Sequence, residues 1–205
     1  MDNQAKINYY WNQFVKEGKL NALSKIYFAY YDFLFDYGLR LTKNIQAVED
    51  TIQNMFVNFL NTRERIGEVK NLSGYLVSIF RRTLFKELEA HNKIFRDDTS
   101  DNLQFDFFKS VENSEVHDKI KLEKTYDAIK ESIRKLSNRQ REIIYLKFEK
   151  EISYEEISEI LKISVDSCYK LLYRAITSIR KETEEILREN TDSTILYLLF
   201  YKNLN

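Results

Sequence analysis

No proline occurs anywhere in the chain, and no glycine follows Gly74. These two residues are the main interrupters of helices. Their scarcity, beside abundant Leu, Ile, Glu and Lys, predicts an all-α protein. The 43% hydrophobic and 31% charged residues make the chain globular rather than disordered. At 205 residues it has room for one large domain or two small ones.

One cysteine, Cys168, excludes an internal disulfide framework and fits a reducing compartment. The N-terminal stretch MDNQAKINYYWNQF has no apolar run of the signal-peptide kind. The apolar run ILYLLFY near the C-terminus is far too short to span a bilayer. A cytoplasmic chain that is not itself a membrane protein is expected. Net charge is zero, but its distribution is uneven. Residues 61–95 hold seven basic and four acidic residues, and residues 134–181 hold eleven and seven. Residues 96–119 hold three basic and seven acidic, and residues 182–205 two and five. Two mildly basic blocks thus alternate with an acidic stretch and an acidic tail.

The hydrophobic pattern sets the organisation. In NIQAVEDTIQNMFVNFLNTRE, residues Ile45, Val48, Ile52, Met55, Phe56 and Phe59 form an amphipathic helical stripe. IGEVKN reads as a loop. LSGYLVSIFRRTLFKEL then resumes helical spacing with Leu76, Ile79, Phe80, Leu84 and Leu88. Gly38 marks a kink or a close helix contact. Past residue 92 the periodicity is lost in a polar stretch rich in Asp, Asn and Ser, and from Lys121 it returns as far as Leu187. The expected division is a helical domain over residues 1–92, a flexible acidic linker over 93–120, a second helical domain over 121–187 and an apolar tail over 188–205. That tail is expected to pack on one of the two domains.

Three helix starts mark the second domain. Ser137 with Gln140, and Ser153 with Glu156, have capping-box spacing. Ser164 is a third cap, with Asp166 in the first turn where a negative charge suits the helix dipole. The helices that follow bury Ile143, Ile144 and Leu146; Ile157, Ile160 and Leu161; and Cys168, Leu171 and Leu172. Between the last two lies a three-residue turn, Lys162-Ile163-Ser164. Two short helices joined so tightly must cross steeply, which is the helix-turn-helix. Lys162 stands where glycine is common. The outward residues of the second helix are Asp166, Ser167, Tyr169, Lys170, Tyr173 and Arg174, types that hydrogen-bond base edges or reach phosphates. An ordinary helical hairpin with a solvated charged face has the same pattern.

The stretch LSNRQREIIYLKFEKEISYEEISEILKISVDSCYKLLYRAITSIRK resembles region 4 of bacterial sigma factors of the extracytoplasmic-function (ECF) group. The family pattern runs L-P-x-R-Q-R-E, an apolar helix, S-Y-x-E-I-A, a turn with I-S, and a basic helix ending R-A and L-R. Leu136, Arg139, Gln140, Arg141, Glu142, Ser153, Tyr154, Glu156, Ile157, Ile163, Ser164, Arg174, Ala175 and Arg180 match it. Ser137 replaces a proline, Ser158 an alanine, and Ser167-Cys168 a Thr-Val pair. VEDTIQNMFVNFL is similar to region 2.2, with Glu49, Asp50, Gln53 and Phe56 in place and Asn54 for a common glutamate. GYLVSIFRRTLFKEL is similar to regions 2.3 and 2.4, with Tyr75, Leu76, Ile79 and Arg81 matching.

The resemblance implies a transcription initiation factor that binds core RNA polymerase and directs it to promoters, held inactive in many relatives by an anti-sigma factor. It implies polymerase contacts at Glu49, Asp50, Gln53 and Asn54. For opening the −10 element as single-stranded DNA it implies Arg63, Arg65, Lys70, Asn71, Tyr75, Arg81, Arg82 and Lys86. Arg82, Lys86 and Glu89 stand where Asn, Asp and Arg are usual, so the sequence read at −10 stays open. For the −35 duplex it implies Ser167, Tyr169, Lys170, Tyr173 and Arg174, with Arg139 and Arg141 holding the backbone. In the family the linker threads through polymerase near the RNA exit path.

The rival reading is a stand-alone helix-turn-helix regulator whose residues 1–90 form a sensor or dimerisation domain. It would bind promoter DNA without polymerase. No enzyme, catalytic residue, metal or cofactor is expected: His91 and His117 are isolated, and there is no HExxH, no CxxC and no phosphate-cradling glycine loop.

Overall fold

The computed structural model describes residues 3–91, 105–107 and 120–187. Every regular element among them is helical, as the missing helix breakers require. In chain order these are α1 (Asn3–Glu17), α2 (Leu20–Leu41), α3 (Ile45–Thr62), α4 (Leu72–His91), α5 (Ile120–Arg134), α6 (Asn138–Ile144), α7 (Tyr154–Leu161) and α8 (Val165–Leu187). A 3-10 turn, Arg63–Arg65, follows α3, and a π-helical turn, Tyr145–Glu149, follows α6. Packing divides the chain into two compact units, residues 1–104 with 155–163, and residues 105–154 with 164–205. Most of the linker and the tail from Arg188 onward lie outside the described residues.

In the first unit α1 ends at Gly18, whose φ of +69° is open to glycine at little cost. Its N–H closes the helix on the Phe14 carbonyl at 2.9 Å. The core is layered from four helices: Phe14, Ile26, Leu34, Tyr37, Val48, Ile52, Leu76, Phe80 and Leu84 are all fully buried. Trp11 packs edge-on against Phe59, with ring centroids 5.4 Å apart, and against Tyr75 at 5.9 Å. Of the expected α3 stripe, Val48, Ile52, Met55, Phe56 and Phe59 are buried. Ile45 is 55% exposed, because it occupies the first helical position beside the Asn44 cap. Gly38 is a close contact: a Cβ there would stand 2.7 Å from Val48 Cγ1 and 2.8 Å from Phe80 Cζ. Glu87 on α4 ties the helices together by accepting from Thr51 Oγ1 at 2.7 Å and Asn54 Nδ2 at 3.3 Å.

In the second unit α5 packs along α8. Their seam carries a buried hydroxyl pair, Ser132 and Thr183, 3.0 Å apart; Ser132 also lies 2.7 Å from the Ala128 carbonyl, so neither hydroxyl is left unsatisfied. The Ser137–Gln140 capping box forms as its spacing predicts. The π turn buries Tyr145 and Leu146 completely. Residues 105–107 belong to this unit: Phe105 is buried, its ring 5.4 Å from Tyr145, and its N–H donates to Asn138 Oδ1 at 3.1 Å. The linker is therefore anchored at Phe105, a bond the polar composition around it conceals.

The turn between α7 and α8 is closed by its own backbone. Lys162 has φ +52°, the left-handed region, and the Ile163 N–H donates back to the Ser158 carbonyl at 3.1 Å. That is the Schellman arrangement, usually built on glycine. Ser164 Oγ then accepts from the Ser167 N–H at 3.1 Å and starts α8.

Two substitutions test this packing in urea denaturation of the full chain. Gly38→Val is expected to destabilise by about 2 kcal/mol, because overpacking outweighs the gain in helix propensity. Lys162→Gly relieves a left-handed side chain and is expected to stabilise by up to about 1 kcal/mol.

Candidate nucleic-acid and partner interfaces

The charged face of α8 is exposed as the sequence reading expects. Lys170 Nζ pairs with Asp166 at 2.6 Å, and both side chains are about two-thirds exposed at 66% and 71%. A pair so open to water is worth a few tenths of a kcal/mol, ~0.3–0.5 at i,i+4. Lys170 is thus readily given up to a phosphate. Tyr173 is 72% exposed, and Arg174 beside it is exposed as well. Ser167 is half-buried, its hydroxyl 2.8 Å from that of Ser164, so it serves the cap. Tyr169 is half-exposed but stacked on Tyr154, with ring centroids 3.9 Å apart. Exposed Thr177 and Arg180 continue the Tyr169–Tyr173 row at helical spacing. A step of four and then one of three along the same helix face leads to them.

Arg141 is engaged within its own unit. Its guanidinium donates to the Arg134 carbonyl at 3.0 Å and to Asn138 Oδ1, and burial lowers its pKa. It joins α6 to the end of α5.

The eight residues implied for −10 DNA divide in two. Arg65, Lys70, Arg82 and Lys86 are exposed cations, the last two one turn apart on α4. Arg63 instead braces the 3-10 turn, donating to the Val15 carbonyl at 2.9 Å and lying 3.4 Å from Glu64. Asn71 caps α4 by accepting from the Gly74 N–H at 3.0 Å. Tyr75 is half-buried against Trp11 and Phe59, and burial pushes its phenol pKa up. Arg81 lies 4.5 Å over the Phe85 ring. Phe80 is fully buried, in keeping with the core role expected for it.

The polymerase candidates sit on α3. Glu49 and Asp50 are half-buried, and Asp50 accepts from Gln46 at 2.8 Å. Asn54 is engaged with Glu87, while Gln53 lines a surface groove of about 340 Å³ between α2 and α3. The rest of that groove is mostly apolar, with Phe28 74%, Val57 52% and Leu60 44% exposed. Of the four candidates read from the sequence, Gln53 alone lines this groove. The apolar ones look like core positions until α2 and α3 are placed side by side.

Among the described residues no group of three or more His, Cys, Asp or Glu is placed to hold a metal ion. None of the described helices is long and apolar enough to cross a membrane.

Comparison with known proteins agrees with this layout. Residues 26–94 match the family model described as sigma-70 region 2, and residues 126–179 match sigma-70, region 4. RNA polymerase sigma factor YlaC of Bacillus subtilis (strain 168) is 22% identical over 161 residues, spanning 78% of this chain and 91% of that protein. The sigma factor RpoE, solved in complex with the anti-sigma factor NepR from Bartonella quintana, shares the fold with a TM-score of 0.52 at 17% identity. That likeness covers 82% of this chain and 98% of RpoE. The two matched regions lie in the same order as the two blocks read from the sequence and together span more than half of the chain, which belongs to the sigma-70 family as an extracytoplasmic-function sigma factor that binds RNA polymerase and promoter DNA.

Proposed function

We propose a division of labour among named surfaces of this sigma factor. The reading rests on one observation above the rest: α8 carries Lys170, Tyr173 and Arg174 together on an exposed face that no core contact requires. These three read the −35 element as duplex, joined by Tyr169, with Ser167 holding the helix start. Lys and Arg in this setting reach phosphates or guanine edges, and a tyrosine adds a hydroxyl and an apolar ring for the thymine methyl. Arg65, Lys70, Arg82 and Lys86 attract the strand opened at −10, where cations and a stacking surface are needed. Arg63, Asn71 and Tyr75 support that surface from inside.

Core polymerase docks at the α2–α3 groove. Gln53 in the groove and Glu49, Asp50 and Asn54 on the same helix supply polar contacts, and Phe28, Val57 and Leu60 supply apolar contact. Interfaces of this kind take their affinity from a desolvated apolar centre and their register from the rim. An anti-sigma factor that covers this groove silences the protein. The domains divide as residues 1–92, 93–120, 121–187 and 188–205. The chain acts in the cytoplasm as a binding subunit, with no catalytic role of its own.

In a reconstituted transcription assay, Lys170→Ala with Arg174→Ala is expected to abolish initiation at −35-dependent promoters while leaving core binding unchanged. The same pair lowers the slope of log affinity against log salt by about one for each phosphate that the two side chains neutralise. Unchanged promoter use would reject the α8 surface. Phe28→Ser, at a position that adds nothing to the core, is expected to weaken core polymerase binding by about tenfold or more in fluorescence anisotropy. Promoter binding without polymerase would instead identify a stand-alone regulator.

A further inference from the structure

Tyr154 contacts the recognition helix without belonging to it. It is the first residue of α7, and its ring lies 3.9 Å from that of Tyr169 on α8, the planes 32° apart. On the Tyr154 ring also rests Lys147 of the π turn, with its Nζ 4.6 Å from the centroid. Lys147 is itself held by donating to the Ile152 carbonyl at 3.4 Å. A short column thus joins the π turn, the start of α7 and the outward side of α8.

The column explains a feature that exposure alone leaves unaccounted for. Tyr169 is 52% exposed, which ordinarily frees a side chain to sample several rotamers. The tilted contact with the Tyr154 ring, centroids 3.9 Å apart, restricts the Tyr169 ring, and the cation over Tyr154 steadies the ring beneath it. Burial raises the Tyr154 phenol pKa, with Tyr169 and Cys168 adding to the effect, so the ring under the lysine stays neutral through the physiological range. Tyr169 is one turn from Tyr173 and next to Lys170, so its placement sets one edge of the surface offered by α8. A side chain ordered before binding loses less freedom when it meets a ligand.

We propose that Tyr154 is a positioning residue for promoter recognition: by stacking on Tyr169 it fixes the orientation in which that ring meets the −35 duplex. This rests on the reading of α8 as the −35 surface and adds to it a residue outside the helix on which specificity depends. Lys147 supports the same column through its charge.

The test is a double-mutant cycle in full-length protein assembled with core polymerase, measuring affinity for promoter DNA and for a set of −35 variants. Tyr169→Ala and Tyr154→Ala are each expected to lower promoter affinity about threefold to tenfold, the range of an aromatic pair. Both flatten the preference among −35 variants, and neither changes the salt slope, since neither ring neutralises a phosphate. Tyr154→Phe keeps the stack and restores wild-type preference. Tyr154→Leu keeps bulk without a flat ring and does not restore it, which separates positioning from folding. In the Tyr169→Ala background Tyr154→Ala has no further effect beyond about twofold. Additive losses overturn the proposal, as does failure of Tyr154→Phe to restore preference or full activity of Tyr169→Ala. Loss of −35 dependence on mutating Lys170 and Arg174, in the same assay, shows independently whether the α8 surface itself is correctly assigned.

Discussion

A chain without proline, and nearly without glycine, must still end its helices, and among the described residues it twice does so with a side chain in the left-handed region, at Glu151 and at Lys162. Between α7 and α8 the backbone reverses at Lys162 in a left-handed conformation that a side chain tolerates at a cost of about 1–2 kcal/mol. Recovery comes from the backbone itself: the Ile163 N–H satisfies the Ser158 carbonyl, and Ser164 caps the next helix at once. Local hydrogen bonds thus hold the connection at both of its ends.

The same economy appears where cations are sorted between scaffold and surface. Arg63 and Arg141 reach carbonyls that helix ends leave open, Val15 and Arg134, and so brace the fold. Lys70, Arg82, Lys86, Lys170 and Arg174 remain at the surface. Arginine suits the first task, since its planar fork satisfies more than one acceptor from a single position. Net charge close to zero therefore conceals a purposeful split. Among the described residues these side chains are exposed, whereas Arg63 and Arg141 are engaged with backbone carbonyls.

The elements could be read from the sequence because they rest on periodicity and capping, both local properties. The Ser137 box, the Ser164 cap, the burial of Ile143, Ile157 and Cys168, and the exposure of Tyr173 all follow from spacing along one helix. What stayed hidden depends on partners distant in sequence. Phe105 looks like one more aromatic in a polar stretch until Asn138 and Tyr145 receive it. Tyr75 and Asn71 also make contacts, with Trp11 and with the α4 N-terminus, that spacing along the chain does not reveal. Phe28 and Val57 share their types with core residues, and only the pairing of α2 with α3 leaves them open to solvent. The π turn has no signal in composition at all; it accommodates one extra residue so that Tyr145 and Leu146 both reach the interior.

The chain has a single tryptophan and a single cysteine, and each is buried in a different unit: Trp11 in the first, Cys168 in the second. Indole emission therefore follows the opening of the first unit alone. Thiol labelling follows the second, where burial both shields the sulfur and raises its pKa, leaving little thiolate to react. Without any added dye, the two halves of the molecule carry their own separate gauges, so that the loosening of one can be timed against the loosening of the other during assembly with a partner.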